Sequence, residues 1–409
     1  MYLVHYRIVF LYLTYTITYF YLFFVSFCNN FCIFTTNCTV KCVINSFQNI
    51  SNSAILLKLK YKVKMRYIVK AWIIDKPESI TLQEIKENQK SEGNAKIKIT
   101  LASLSLSDAK VFKGDLTGGM QYPFIPGRHA VGIISEIEEN NSSGLLRGQR
   151  VVIDPNISCN NCYACKTHRP WECERNKIMG LSSEGLIRDF ASVPLSNIYQ
   201  IPQQISDIEA QFIEHTSIAV KTFNELKINE GEHIVIIGAS VLGIIMAQLA
   251  LYYQAVPIVL DTHQDKLDIA TNLGIYYTIN TSVNDPNERI KQITGGRYCE
   301  CSVFLANSND KIQKAFDYAS VGGRVAIVGW EYVAEIMNGN ISGILSKQLT
   351  VTGISNGQKQ IPAAINMLAK KAVDVSPFLT KEIKFDEVEQ GLKEYSQNPL
   401  MYHKVFIKI

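Results

Sequence analysis

The chain has 409 residues, with 41 Lys and Arg against 37 Asp and Glu and a formal net charge of +4. That length holds two domains and a large core, and the near-neutral charge, with no basic block interleaved with aromatics, argues against a nucleic-acid partner. The ten cysteines fall in clusters rather than in the spread of a disulfide framework, which points to metal or thiol use in a reducing compartment, here the cytoplasm.

The first 64 residues stand apart. Residues 1–74 hold no Asp or Glu, and the first glycine is Gly93. Residues 8–27 are uncharged over about 20 positions, long enough to span a bilayer. Three readings stay open. One is a transmembrane or signal-anchor helix, which would make a membrane a partner. A second is a cleaved signal, although the run is long and lacks a small-residue cleavage site. The third is an upstream extension outside the working protein, with Met65 as its start. The Tyr, Phe, Asn and Ile bias looks like translated AT-rich sequence and favours the third. Cys28, Cys32, Cys38 and Cys42 have no acid, His or turn glycine around them, which counts against a metal cluster there.

From Met65 the pattern is that of a globular protein. Strands are expected over 67–74, 79–85 and 96–101, followed by Ser105-Leu106-Ser107-Asp108 and then a strand over 124–134. Gly127 and Gly132, set among polar residues in that strand, suggest backbone approaching a site. Arg147-Gly148-Gln149-Arg150 turns into another strand. Many short strands with glycine turns predict a barrel-like β domain.

Cys159, Cys162, Cys165 and Cys173 follow the spacing C-x2-C-x2-C-x7-C. Four thiolates on one short loop suit a closed, tetrahedral structural Zn²⁺ site, and metal binding supplies order that the loop's own core cannot. An iron–sulfur cluster fits by count, but nothing else in the chain suggests electron transfer. Chance spacing and disulfides are the remaining alternatives.

A helix is expected over 205–226, starting near Ser206-Asp207 with Glu209 close behind. After it comes HIVIIGASVLGIIMAQLALYYQAVPIVLD, ending on Asp261. An apolar strand, a glycine turn, a helix, a second apolar strand and an acid make up the dinucleotide-binding βαβ unit. Gly238 permits the tight turn and Gly243 lets the helix lie close to the strand. Ser240 replaces the middle glycine and narrows the approach to a pyrophosphate without closing it. The helix start at Ser240, Val241 and Leu242 offers free N–H groups and partial positive charge to phosphate. Asp261 suits a ribose diol and repels a 2′-phosphate, so NAD(H) is the expected cofactor. The bland alternative is a plain packing unit. Further strands are expected over 276–280, 301–305 and 325–328, an extended segment over 348–354, and an amphipathic helix over 361–370. Cys299 and Cys301 read as packing residues.

A four-cysteine loop between a β-rich front and a Rossmann unit resembles the medium-chain, zinc-containing alcohol and polyol dehydrogenases. The resemblance runs from Met65 to Ile409. It is carried by Pro126-Gly127-Arg128-His129-Ala130-Val131-Gly132, by Gly148-Gln149-Arg150-Val151 and by the closing HKVFIKI. It implies a doubly wound parallel Rossmann sheet with a GroES-like β-barrel domain. The expected organisation is an extension (1–64), a GroES-like catalytic domain with the zinc loop (65–215), an NAD-binding Rossmann domain (216–354) and a return to the catalytic domain (355–409). It also implies a homo-oligomer and a small-molecule substrate.

In the family a catalytic zinc is held by Cys, His, and Cys or Glu, with a Glu nearby. Those positions carry Ser105, Arg128, Glu214 and His129 here. A hydroxyl is a poor zinc ligand, and a guanidinium cannot bind a cation. Glu214 with His129 alone makes a weak site. The structural zinc is therefore expected to be kept and the catalytic zinc lost. Arg128, paired with Glu214, is expected to present positive charge to a substrate oxygen, while His129 or Ser107, the match to the family's relay hydroxyl, moves the proton. The alternative is an inert Arg128–Glu214 pair filling an obsolete cavity. Lys266 falls where the family lines the adenosine pocket, a solvated helix face being the alternative, and Lys404 matches a basic position that approaches the cofactor phosphates. The expected function is NAD(H)-dependent hydride transfer to or from a secondary alcohol, polyol or ketone. A metal-free alkene or quinone reductase and a cofactor-binding protein without turnover are the alternatives.

Overall fold

The computed structural model describes residues 67–87, 93–115, 122–305, 312–329, 342–399 and 403–409. The readings of residues 1–64 lie outside these. Among the described residues no helix is long and apolar enough to cross a membrane.

The apolar runs after residue 232 form a parallel sheet of six strands: His233–Ile237, Val256–Asp261, Tyr277–Asn280, Cys299–Leu305, Ala319–Val328 and Thr350–Ile354. Numbered in sequence, their order across the sheet is 3-2-1-4-5-6. This is the doubly wound order, whose switch point between the first and fourth strands is where a dinucleotide lies. The strands are continuous in apolar residues because helices cover both faces. The helix Val241–Tyr252 is correspondingly not amphipathic, with Gly243 through Ala250 all buried.

The second sheet runs in the order Lys381–Lys384, Val405–Lys408, Asn94–Leu104, His129–Glu136, Arg150–Ile153 and Ile198–Gln200, with Phe190–Pro194 also paired to Asn94–Leu104. The C-terminal strand thus closes against the front of the chain. Asn94–Leu104 is antiparallel to both of its long neighbours, with Leu104 opposite Val405 and Ser103 opposite both Phe406 and His129. The C-terminal end of that strand therefore meets the starts of the other two. The register alone brings Ser105, Arg128 and Lys404 to one end of the sheet.

Two expectations change. The helix expected over 205–226 is two helices, Asp207–Ala210 and Ile213–Leu226. Ser206 does cap the first with a capping box to Glu209. The break at Gln211 and Phe212 has a tertiary cause. Phe212 packs its ring against Phe378 and Phe406, with centres 5.9 and 6.1 Å away. Gln211 bonds Ser103 and the Leu101 carbonyl through its side chain, at 2.9 Å each. The second change concerns Gly132. A Cβ there would lie 2.3 Å from the Lys98 carbonyl oxygen of the neighbouring strand. Its glycine answers close strand packing and not the approach of a ligand.

Candidate active site

The glycine turn has the geometry the sequence expects. Gly238 has φ of 111°, in the left-handed half of the map where glycine alone is at ease. A Cβ on Gly243 would lie 2.0 Å from the Gly238 carbonyl oxygen. Ser240 is the helix N-cap, its hydroxyl accepting from the Gly243 N–H at 3.3 Å. That leaves the N–H groups of Val241 and Leu242 at the helix start for an anion. Asp261 is folded back onto the turn. One carboxylate oxygen accepts from Ala239 N at 2.8 Å, the other from His263 N at 3.0 Å and the His263 ring at 2.9 Å. Burial alone would raise its pKa, but these hydrogen bonds and the nearby Lys266 hold it below the usual value. The acid thus stays ionised beside the turn, the state a ribose diol needs.

In the barrel part of the chain, Ser105 caps the helix Leu106–Lys113. The Ser105 hydroxyl lies 2.8 Å from that of Ser107 and donates to Asp108 at 2.5 Å. The other oxygen of Asp108 accepts from Gly127 N at 3.0 Å. Gly127 has φ of 96°, and a Cβ there would strike Ile187 at 2.5 Å. This bond fixes the turn that carries Arg128 and His129, which are 9% and 4% exposed.

The carboxylate of Glu214 is hydrogen-bonded to Nε2 of His129. Arg128, the partner expected from the sequence, also acts on Glu214 as nearby positive charge. Burial would raise the pKa of Glu214, but His129, through its hydrogen bond and the charge it carries when protonated, and the positive charge of Arg128 hold it well below the carboxylate range. His129 is driven the other way, down to about 4, by burial first and by the repulsion of Lys404, against the pull of Glu214. The pair is a carboxylate and a neutral imidazole, with Nε2–H donating to Glu214 and Nδ1 left as an acceptor.

Lys404 acts electrostatically on this pair. It is 2% exposed, donates from Nζ to the Gln211 carbonyl at 2.6 Å and lies 4.7 Å from the centre of the Phe212 ring. Burial pushes its pKa down to about 7. The sequence reading aimed this lysine at the cofactor phosphates and did not foresee that Glu214 also acts on it. It also missed His215, whose ring centre is 5.1 Å from that of His129, and Asp154, a buried carboxyl at the end of Arg150–Ile153. Each had a faint signal: His215 follows Glu214, and Asp154 is an acid closing an apolar strand.

The four cysteine sulfurs lie within 4.8 Å of one another, with Cys162 Sγ at 3.5 Å from Cys165 and 3.9 Å from Cys173. Ligands at about 2.3 Å from one tetrahedral zinc stand roughly 3.8 Å apart, whereas a disulfide needs about 2.05 Å. Cys159 N and Cys162 N donate to the sulfurs of Cys173 and Cys159, as amides do around thiolates. Among the described residues this is the one group of three or more metal-ligating side chains whose ligand atoms lie this close.

Comparison with known proteins agrees with this layout. Residues 91–203 match the model of the alcohol dehydrogenase GroES-like domain, and residues 241–370 that of the zinc-binding dehydrogenases. An uncharacterized zinc-type alcohol dehydrogenase-like protein of Haemophilus influenzae is 30% identical over 341 residues, covering 83% of this chain and 99% of its own. The chain belongs to the zinc-type alcohol dehydrogenase family. The starvation-sensing protein RspB of Escherichia coli K12 is 25% identical over 342 residues, covering 83% of this chain and 99% of its own. A solved structure from Escherichia coli CFT073, described as a short chain alcohol dehydrogenase complexed with NADH, superposes with a TM-score of 0.75 at 25% identity, covering 84% of this chain and 99% of that one.

As a member of this family the protein is an alcohol dehydrogenase-like oxidoreductase, with a GroES-like domain and a Rossmann-like parallel sheet. Within that fold the strand register brings Ser105 and Arg128 to one end of the barrel sheet.

Proposed function

We propose that the protein transfers a hydride between NAD(H) and a secondary alcohol, polyol or ketone, with Arg128 doing the work of a catalytic metal and the four cysteines holding a structural zinc. The observation that carries this reading is the buried cluster of Arg128, His129, Glu214 and Lys404, in which two cationic side chains surround one carboxylate. The Asp261 carboxylate on the glycine turn supports NAD(H) over its 2′-phosphorylated counterpart. The nicotinamide supplies or accepts the hydride when bound.

The chain's own residues handle charge and proton. Alcohol oxidation builds negative charge on the substrate oxygen. A guanidinium held in a dry site stabilises that charge without reorganising, as a metal would. Glu214, ionised and anchored by His129, is placed to take the hydroxyl proton. The hydroxyls of Ser107 and Ser105, chained to Asp108, offer a second path. The cysteine sulfurs have the spacing of a zinc knot, which would order a loop that carries little core of its own.

The experiment is zinc counting joined to kinetics. One tightly held zinc per chain is expected, NADH should bind with enhanced fluorescence, and a panel of secondary alcohols should be oxidised. Arg128→Ala should lower kcat by roughly 100- to 1,000-fold, the usual effect of losing one oxyanion-stabilising donor, with NADH affinity unchanged. Two zinc ions per chain, or an Arg128→Ala variant with full turnover, would overturn the metal-independent mechanism. Binding of NADH with no oxidation of any alcohol or reduction of any ketone would favour a cofactor-binding role instead.

A further inference from the structure

Asp154 ends the strand Arg150–Ile153 and is 1% exposed. One of its oxygens accepts from Asn156 N at 3.0 Å and Asn156 Nδ2 at 2.8 Å. The other, Oδ2, is buried with no hydrogen-bond partner, and so is Nδ1 of His129. Buried polar atoms are rarely left so. Both residues line one internal cavity of about 10 Å³, and Glu214 lines it too. That is room for a single water. A water there would have three polar neighbours: the Glu214 carboxylate, the acceptor nitrogen of His129 and the Asp154 carboxyl.

We propose that Asp154 is a positioning residue for the substrate proton, storing through one cavity water the proton that Glu214 takes from the substrate hydroxyl. The proposal rests on the hydride-transfer reading above. The step balances. The substrate O–H breaks as its hydride leaves for the nicotinamide, and the proton lands on Glu214. The Glu214 O–H then breaks toward the water, which hands one of its own protons to Asp154 Oδ2. Glu214 returns to its ionised form, the water is regenerated, and Asp154 holds the proton. In ketone reduction the same chain runs backward. His129 Nδ1 accepts the water's second hydrogen and so fixes its orientation.

The direction of flow follows from the two environments. Glu214 accepts a hydrogen bond from His129 and lies near the positive charges of Arg128 and Lys404, which favour its ionised form. Among the described residues that act on Asp154, none is a cation. Burial and the negative charge of Glu214 raise its pKa to about 7, against partial relief from Asn156 and Gln358. Its other titratable neighbour, Tyr199 on the strand Ile198–Gln200, is pushed up to about 12 by burial and by Asp154 itself, and stays neutral. Two interacting carboxyls in one pocket share a proton unequally, and here Asp154 is the resting place.

The test uses the full-length protein. Infrared titration of the wild type should show a protonated carboxylic-acid band that fades as pH rises through about 7 and is missing in Asp154→Asn. Glu214→Gln, which removes the neighbouring charge, should move that midpoint to lower pH. In alcohol oxidation, wild-type kcat should rise through the same pH. Asp154→Asn should lose that dependence and roughly 100-fold in kcat, with KM and NADH affinity unchanged, and Asp154→Glu should restore part of it. An infrared band unaffected by Asp154→Asn, or a variant that keeps the wild-type pH profile, would overturn the proposal. If no alcohol is turned over, the hydride reading fails while the infrared arm still decides whether Asp154 holds the proton.

Discussion

Nε2 of His129 is hydrogen-bonded to the carboxylate of Glu214 across 85 residues of chain. This bond ties the start of a barrel strand to the first turn of the helix Ile213–Leu226 and compensates the cations around it. Removing one partner of a buried pair strands the other charges and costs about 3–5 kcal/mol. Glu214→Ala should lower the urea unfolding free energy by that order, because Arg128 and Lys404 would lose the Glu214 carboxylate that offsets their charges. Glu214→Gln keeps a hydrogen-bond acceptor and should cost less. Equal stabilities for the two variants would show that the hydrogen bond adds nothing beyond the charge, and wild-type stability in both would show that charge compensation contributes nothing.

Asp261 invites a test of cofactor choice. Its carboxylate accepts hydrogen bonds from Ala239 and His263, and the ribose diol would add charge-assisted bonds of about 1.5–3 kcal/mol. Asp261→Asn should weaken NADH binding by roughly 10- to 100-fold and narrow the gap to NADPH, since repulsion of a 2′-phosphate disappears with the charge. Fluorescence titration with both nucleotides reads this directly. An unchanged ratio of the two affinities would remove Asp261 from the cofactor site.

How far the sequence could be read follows from how local each signal is. The glycine turn, the acid ending the next strand and the cysteine spacing each lie within about thirty residues, so their geometry is written in short-range pattern. The cluster around Glu214 is not. Ser105, Arg128 and Lys404 meet because a C-terminal strand inserts beside Asn94–Leu104, a pairing no local periodicity discloses. The broken helix at Gln211 and Phe212 has the same origin, since the rings of Phe378 and Phe406 that anchor Phe212 arrive from the far end of the chain. Asp154 was invisible for a related reason: its importance lies in which distant groups share its cavity.

The cysteine loop carries its own reporter. Trp171 stacks under Lys359, whose ammonium is 4.7 Å from the ring, and Gln358 ties the same return segment to the Asn156 carbonyl at 3.1 Å. Cys173→Ser removes one of four thiolates, so zinc content should fall from one to near zero per chain and the loop should lose its order. Trp171 emission should then shift to the red and the thermal midpoint should drop, while NADH affinity holds because the glycine turn lies elsewhere. Full zinc content in Cys173→Ser would mean the four sulfurs are not a metal site.

Lys404 makes the pH dependence of stability testable with its sign. Burial, joined by repulsion from Arg128 and opposed by Glu214 and Asp108, carries its pKa from 10.5 to about 7 in the folded protein. An unfolded lysine keeps its ordinary value. Between about 7 and 10.5 the unfolded chain therefore binds a proton that the folded chain does not, and folding stability rises with pH across that window. Below it both states are charged and the full penalty stands, up to about 5 kcal/mol at 1.36 kcal/mol per unit. Lys404→Met keeps the stem's packing on Phe212 and removes the ionisation, at the loss of the Gln211 hydrogen bond, about 1.5–3 kcal/mol. The methionine variant should be the more stable protein at pH 6.5, and its advantage should shrink or reverse by pH 9.5. Urea unfolding at both pH values measures it, and a difference that does not change with pH would show that the lysine is ordinary in its titration and that its charge is compensated where it lies.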